Sequence, residues 1–172
     1  MHPSEPPPSL DYDPPEPSVA TIDVNLKGVF YTMMLAKNYL RLPRRGQEVV
    51  PGGEKEDKAL VLFASTAAYL EIPVLADYSA SKMGVRGMFR TVRGPLMSQG
   101  IRVNTINPWI MATPLVARVL PLFEKHGLAI GKVESVVEAV MRCVVDREIF
   151  GMYFLLEWGG RVLPYGYVDH QD

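Results

Sequence analysis

The chain has 172 residues, a net charge of −1 and 48% apolar residues, which suits one domain with a sizeable core. The near-neutral charge gives no reason to expect nucleic acid or an acidic membrane surface as a partner. No stretch is apolar for long enough to span a bilayer, the N-terminus lacks the pattern of a signal peptide, and the only cysteine, Cys143, fits a reducing compartment. A cytoplasmic protein is expected.

Residues 1–18 hold seven of the fifteen prolines, so they are a poor helix and a poor strand. In isolation they read as an extended, exposed polyproline-like segment. A helix is expected over 19–42, with Ile22, Leu26, Val29, Phe30, Met33 and Leu40 as its apolar stripe. Asn25 lies on this helix and Gly28 follows within a turn. The polar, charged residues 43–58 read as a surface loop.

An unbroken apolar run, 59–64, then predicts a parallel strand covered on both faces. Ser65 and Thr66 follow at its carboxyl end, where open α/β sheets place their ligands, although a hydroxyl there also suits a turn cap. Residues 67–76 form an apolar loop with Tyr69, Leu70, Ile72, Val74 and Leu75, a wall for an apolar substrate pocket.

The stretch Asp77-Tyr78-Ser79-Ala80-Ser81-Lys82-Met83-Gly84 opens the next helix, which continues through Val85, Met88, Phe89, Val92 and Leu96. Residues four apart share a helix face, so Tyr78 and Lys82 are neighbours. An ammonium beside a phenol favours the phenolate, and the helix N-terminus adds to that preference. Such a pair suits proton transfer, although the same spacing is common on any solvated helix. Gln99-Gly100 ends the helix, and 101–106 alternates into a second buried strand. Next comes Asn107-Pro108-Trp109-Ile110-Met111-Ala112-Thr113-Pro114, then short helices over 114–127. A packing helix is expected over 133–145 with Val136, Val137, Val140, Met141 and Val144 on its face, then a last strand over 150–156 and an exposed tail.

Four motifs occur in a fixed order: Asp23-Val24-Asn25-Leu26-Lys27-Gly28, Ser65 thirteen residues before Tyr78, the Tyr78/Lys82 pair, and Ile101-Arg102-Val103-Asn104-Thr105-Ile106-Asn107-Pro108. Together they resemble the short-chain dehydrogenase/reductase family over roughly 21–159. The resemblance implies an α/β fold, the C-terminal part of a Rossmann-type doubly wound parallel sheet with about three strands. It divides the chain into an extended segment 1–18, which would lead into a large helix, a partial domain 19–160 and a tail 161–172.

The resemblance also implies an oxidoreductase that interconverts a secondary alcohol and a ketone with NAD or NADP, NAD being slightly favoured. Tyr78 would be the acid/base, Ser65 would hold the reacting oxygen, and Lys82 would support the phenolate and hold the nicotinamide ribose. Asn25 would complete a proton relay through a helix irregularity, and Gly28 would allow close helix packing. Pro108, Trp109, Ile110 and Thr113 would contact the nicotinamide. Trp109 stands where the family usually has glycine and brings a large side chain near the ring. This variant resembles a fungal subset similar to 15-hydroxyprostaglandin dehydrogenase. No metal ligand set is expected.

The family's Gly-rich turn, which meets the pyrophosphate at a helix N-terminus, has no counterpart before the strand at 59–64. By comparison with a typical member, roughly the first third, with about four strands, is missing. An N-terminally truncated chain is therefore expected, one that binds dinucleotide poorly, is marginally stable and leaves one sheet edge open. The expected substrate is a small apolar alcohol or ketone. A second reading is an interaction module: helices 19–42 and 76–98 would pair in a homodimer, with Phe30, Met34 and Met88 on their outer faces.

Overall fold

The computed structural model describes residues 13, 15–43, 56–70, 72–151 and 153–156, the last four by their backbone. The expectations for 1–12, for most of the loop 43–58 and for the tail 161–172 lie outside the described residues. Residues 15–18 are exposed and have no regular secondary structure.

A short helix α1, Ala20–Ile22, runs into a π turn, Asp23–Gly28, and then into α2, Val29–Tyr39. The expected single helix 19–42 thus ends earlier and carries a π segment around Asn25. Strand β1, Lys58–Phe63, starts one residue before the apolar run. Helix α3 spans Ala76–Met97, and strand β2 spans Ile101–Pro108. Gly100 closes α3 with φ of 80°, a left-handed turn that glycine adopts without strain. Helix α4, Leu120–Lys125, helix α5, Val133–Val145, and strand β3, Tyr153–Leu156, complete the chain.

The three strands are parallel in the order β1-β2-β3. Among the described residues, the far edge of β1 has no strand beside it. Side chains alternate across the sheet, so the two faces build separate cores. Leu60, Leu62, Ile101 and Val103 pack with Val85, Phe89 and Leu96 of α3, while Val61 and Ile106 pack with Ala139 and Cys143 of α5. This is the layering of a doubly wound sheet.

Three packing expectations change. Val137, Met141 and Val144 are exposed, and α5 instead turns Ala139 and Cys143 to the sheet with Val136 and Val140 beside them. The small side chains at 139 and 143 are what let the helix approach closely. Met88 packs against the α3 core instead of lying on an outer face. Gly28 makes no close helix contact, its nearest non-local atom being Asp23 O at 3.6 Å from an added Cβ. The close approach is at Gly84, where a Cβ would sit 2.5 Å from Leu26 Cδ1.

Arg102 fastens the α5 side. Its side chain, 9% exposed, forks onto Asp57, with Nε to Oδ1 at 2.7 Å and Nη2 to Oδ2 at 2.8 Å. It also donates to the carbonyls of Cys143, Val144, Asp146 and Ile149. A cation at a helix C-terminus satisfies carbonyls that have no partner within the helix and opposes the dipole.

Candidate active site

The site lies at the carboxyl ends of β1 and β2. Ser65, two residues past β1, caps a 3-10 turn, Thr66–Ala68: its Oγ accepts from Ala67 N at 3.1 Å. The same hydroxyl donates to Pro108 O at 3.3 Å, and Thr66 Oγ1 donates to that carbonyl at 3.4 Å. Both hydroxyls are buried. Ser65 therefore does cap a turn, and it does so at the strand end.

Tyr78 and Lys82 stand one turn apart near the start of α3. Lys82 Nζ lies 5.6 Å from the centroid of the Tyr78 ring and donates to Phe63 O at 3.3 Å. That second contact carries the ammonium to the end of β1. Burial pushes the Lys82 pKa below its ordinary value, because a charged amine loses solvation there. Asp77 holds the N-terminus of α3, accepting from Tyr78 N at 2.7 Å. Hydrogen bonds from Thr21 and from this backbone amide lower its carboxyl pKa.

Asn25 sits in the π turn, half-buried, and its Nδ2 donates to Ser81 Oγ at 3.4 Å. Ser81 Oγ donates in turn to Tyr78 O at 2.7 Å. Ser81 is fully buried and joins the π turn to the turn that carries Tyr78. The sequence reading passed over it; a hydroxyl one helical turn past Tyr78 was the signal available.

Pro108, Trp109, Ile110 and Thr113 leave the end of β2 together, all half-buried. The Trp109 side chain is engaged with the segment that follows: Nε1 donates to Ala129 O at 3.0 Å, and the ring meets Phe123 edge-on at 6.1 Å. Thr113 precedes the 3-10 turn Pro114–Val116 without a side-chain cap bond. A cleft of about 380 Å³ between Tyr39, Leu42, Glu56 and Lys58 lies at the amino end of β1, away from these residues. Among the described residues there is no group of three His, Cys, Asp or Glu side chains fit to hold a metal, and no helix long and apolar enough to cross a membrane.

The short chain dehydrogenase family model matches residues 5–121. The chain is 37% identical to a 5'-hydroxyaverantin dehydrogenase of Dothistroma septosporum, over 96% of this chain and 52% of that protein. It is 39% identical to the 5'-hydroxyaverantin dehydrogenase stcG of Emericella nidulans, over 96% of this chain and 54% of that one. Among solved structures it resembles a 3-hydroxyacyl-CoA dehydrogenase type-2 from Mycobacterium avium, with a TM-score of 0.66 and 30% identity over 84% of this chain and 56% of the other. None of these is described as a 15-hydroxyprostaglandin dehydrogenase. The chain spans about half the length of the relatives it matches. A family match across most of the chain, on a parallel sheet of the same fold, settles the lineage: the chain belongs to the short chain dehydrogenase family.

Proposed function

We propose that this chain carries the acid–base half of a nicotinamide-dependent dehydrogenase that interconverts a secondary alcohol and a ketone. The observation that carries the reading is Lys82 Nζ standing 5.6 Å from the Tyr78 ring centroid while bound to Phe63 O, two residues before Ser65 in the chain. In the reductive direction the Tyr78 hydroxyl gives its proton to the carbonyl oxygen, and Ser65 Oγ hydrogen-bonds that oxygen. To do so, Ser65 turns its proton away from Pro108 O, which keeps the Thr66 hydroxyl as donor. The Lys82 ammonium supports the phenolate left behind, and Asn25 with Ser81 leads from this helix toward the π turn.

The residues present fit the nicotinamide-ribose end of NAD or NADP. An ammonium has three N–H donors; Lys82 places one on Phe63 O, leaving donors for ribose hydroxyls. The backbone of 108–110 and Thr113 would hold the carboxamide. When bound, the nicotinamide supplies or accepts the hydride. No Gly-rich turn precedes β1 in this sequence, so pyrophosphate binding finds no counterpart in it. Relatives include proteins described as NADP-dependent and a structure complexed with NADH, so both cofactors stand. We assign 19–160 as the partial catalytic domain, between the extended segment 1–18 and the tail 161–172. The relatives' names make 5'-hydroxyaverantin the first alcohol to try.

The test is turnover of 5'-hydroxyaverantin and of simple apolar ketones with each cofactor, in the chain and in its Tyr78→Phe variant. Weak turnover that needs high cofactor, lost about 10²–10⁴-fold in the variant, is expected for a general acid. Turnover unaffected by Tyr78→Phe overturns the assignment.

A folded chain without turnover would favour a second reading, a dimerisation module. Its supporting observation is the exposed apolar face of α2, where Phe30 is 44%, Tyr31 58% and Leu35 56% exposed. That surface suits pairing with a second copy of the chain.

A further inference from the structure

We propose that the Trp109 side chain is a latch: its indole holds the segment 110–131 folded back beside the carboxyl end of the sheet. Trp109 then acts as a positioning residue for the wall of the substrate cleft. The wall is a substrate wall only on the dehydrogenase reading above; the latch itself stands apart from that reading.

The segment leaves β2 after Pro108 and returns to α5 at Val133. Its neck is narrow. Gly131 N donates to Ile110 O at 2.9 Å, and Ala112 N donates to Gly131 O at 3.2 Å, closing a parallel bridge between Met111 and Gly131. A Cβ at Gly131 would meet Met111 Sδ at 2.5 Å and Ile110 O at 3.3 Å, so any side chain there would have to push the Met111 thioether aside. Beyond the neck the segment has little to hold it. It contains one 3-10 turn and the six-residue α4, and isolated helices that short are unstable in water. Leu115 is 93% exposed and Leu122 is 56% exposed, so these side chains contribute little burial.

Trp109 reaches across the neck to both parts of this segment. Nε1 binds Ala129 O on the returning stretch of chain, and the ring rests edge-on against Phe123 of α4. Leu128 N donates to Phe123 O at 2.9 Å, so fixing Phe123 also fixes the turn after α4. The peptide on the other side of Trp109 carries Pro108 O, the acceptor of the Ser65 and Thr66 hydroxyls. One residue therefore connects the folded-back segment with the group that orients Ser65.

Trypsin reads the latch directly, because Arg118 and Lys125 are exposed within the segment while Arg90 and Arg142 lie in α3 and α5. Cleavage tracks the open population when opening is fast. Trp109→Phe keeps a ring but removes the N–H. It is expected to speed cleavage after Arg118 and Lys125 roughly 5–30-fold, the factor that one to two kcal/mol makes in a population. Cleavage after Arg90 and Arg142 and the circular dichroism melt stay unchanged. Phe123→Leu, a change within α4, gives the same local acceleration and serves where Trp109→Phe fails to fold.

In turnover, Phe123→Leu is expected to raise the alcohol KM by more than it lowers kcat, since it leaves Tyr78, Lys82 and the nicotinamide-contacting residues 108–110 in place. Equal cleavage rates in wild type and both variants overturn the latch, and so does acceleration spread equally over all four sites. A wild-type chain with no turnover whose cleavage still responds to both variants upholds the latch and counts against the dehydrogenase reading.

Discussion

Lys82 Nζ bridges two elements, lying 5.6 Å from the Tyr78 ring centroid on its own helix and 3.3 Å from Phe63 O at the end of β1. Burial lowers the ammonium's pKa, so the charge opposes folding at neutral pH. The folded value lies below the unfolded one. Wild-type stability therefore rises with pH as the amine loses its proton in the fold, and the rise ends near the unfolded value of about 10.4. Lys82→Met is expected to remove this rise and to be at least as stable as wild type at pH 7, while abolishing cofactor-dependent quenching of tryptophan fluorescence. Urea midpoints measured across pH decide it: a midpoint in Lys82→Met well below wild type at pH 7 would show that the ammonium is a net structural asset.

The Asp57–Arg102 fork has the opposite pH sign. Hydrogen bonds from Arg102 hold the Asp57 carboxyl below its ordinary value. Its contribution is present above the unfolded value of about 3.9 and is lost as pH falls through the lower folded value. Asp57→Asn is expected to flatten that acid limb of the stability curve. Arg102→Ala leaves Asp57 and several carbonyls at the α5 terminus without this partner, and stranding partly buried polar groups costs about 1–3 kcal/mol. Chemical denaturation of both variants between pH 3 and pH 7 checks the pair; an acid limb unchanged in Asp57→Asn would sink it.

Much of this fold was legible because the sequence states its periods plainly. The run 59–64 and the alternation after Ile101 suited strands, and the helices at 76–98 and 133–145 were placed within a residue. Only β2 is buried throughout most of its length, however; β1 stays largely half-buried with Phe63 exposed. Direction was harder. Helix α5 is valine-rich around much of its circumference, so apolar identity alone could not show that Ala139 and Cys143, not Val137 and Met141, face the sheet. Ser81 was hidden for a related reason: a buried serine reads as an ordinary polar position until its partner, Asn25, is brought in from a distant helix. Trp109 stood out as a departure from glycine, but its engagement with Ala129 and Phe123 depends on a segment that returns twenty residues later.

Two glycines on α3 should respond oppositely to the same substitution. A Cβ at Gly87 meets nothing within 4 Å, so Gly87→Ala is expected to gain about 0.5–1 kcal/mol from helix propensity alone. At Gly84 the added methyl sits 2.5 Å from Leu26 Cδ1 and must displace that side chain, which offsets the gain. Gly84→Ala should therefore fall at least about 1 kcal/mol below Gly87→Ala. Thermal melts of the two proteins compare them directly, and equal stability would mean that Leu26 moves aside freely.

Cys143 reports on the α5 interface without any mutation. Its thiol is fully buried, and burial pushes its pKa up to about 11. In the unfolded chain a cysteine ionises near about 8.5. Above that value the unfolded state gives up its proton and the folded state does not, so this group's contribution to stability falls as pH rises from about 8.5 toward 11. In Cys143→Ala that alkaline loss disappears, although the smaller side chain lowers stability at neutral pH by leaving a cavity against Ile106. The native thiol is expected to resist a disulfide reagent at pH 7 and to react in urea with the same midpoint as the loss of circular dichroism. Rapid labelling of the folded chain at neutral pH would show that α5 opens from the sheet far more readily than its packing implies.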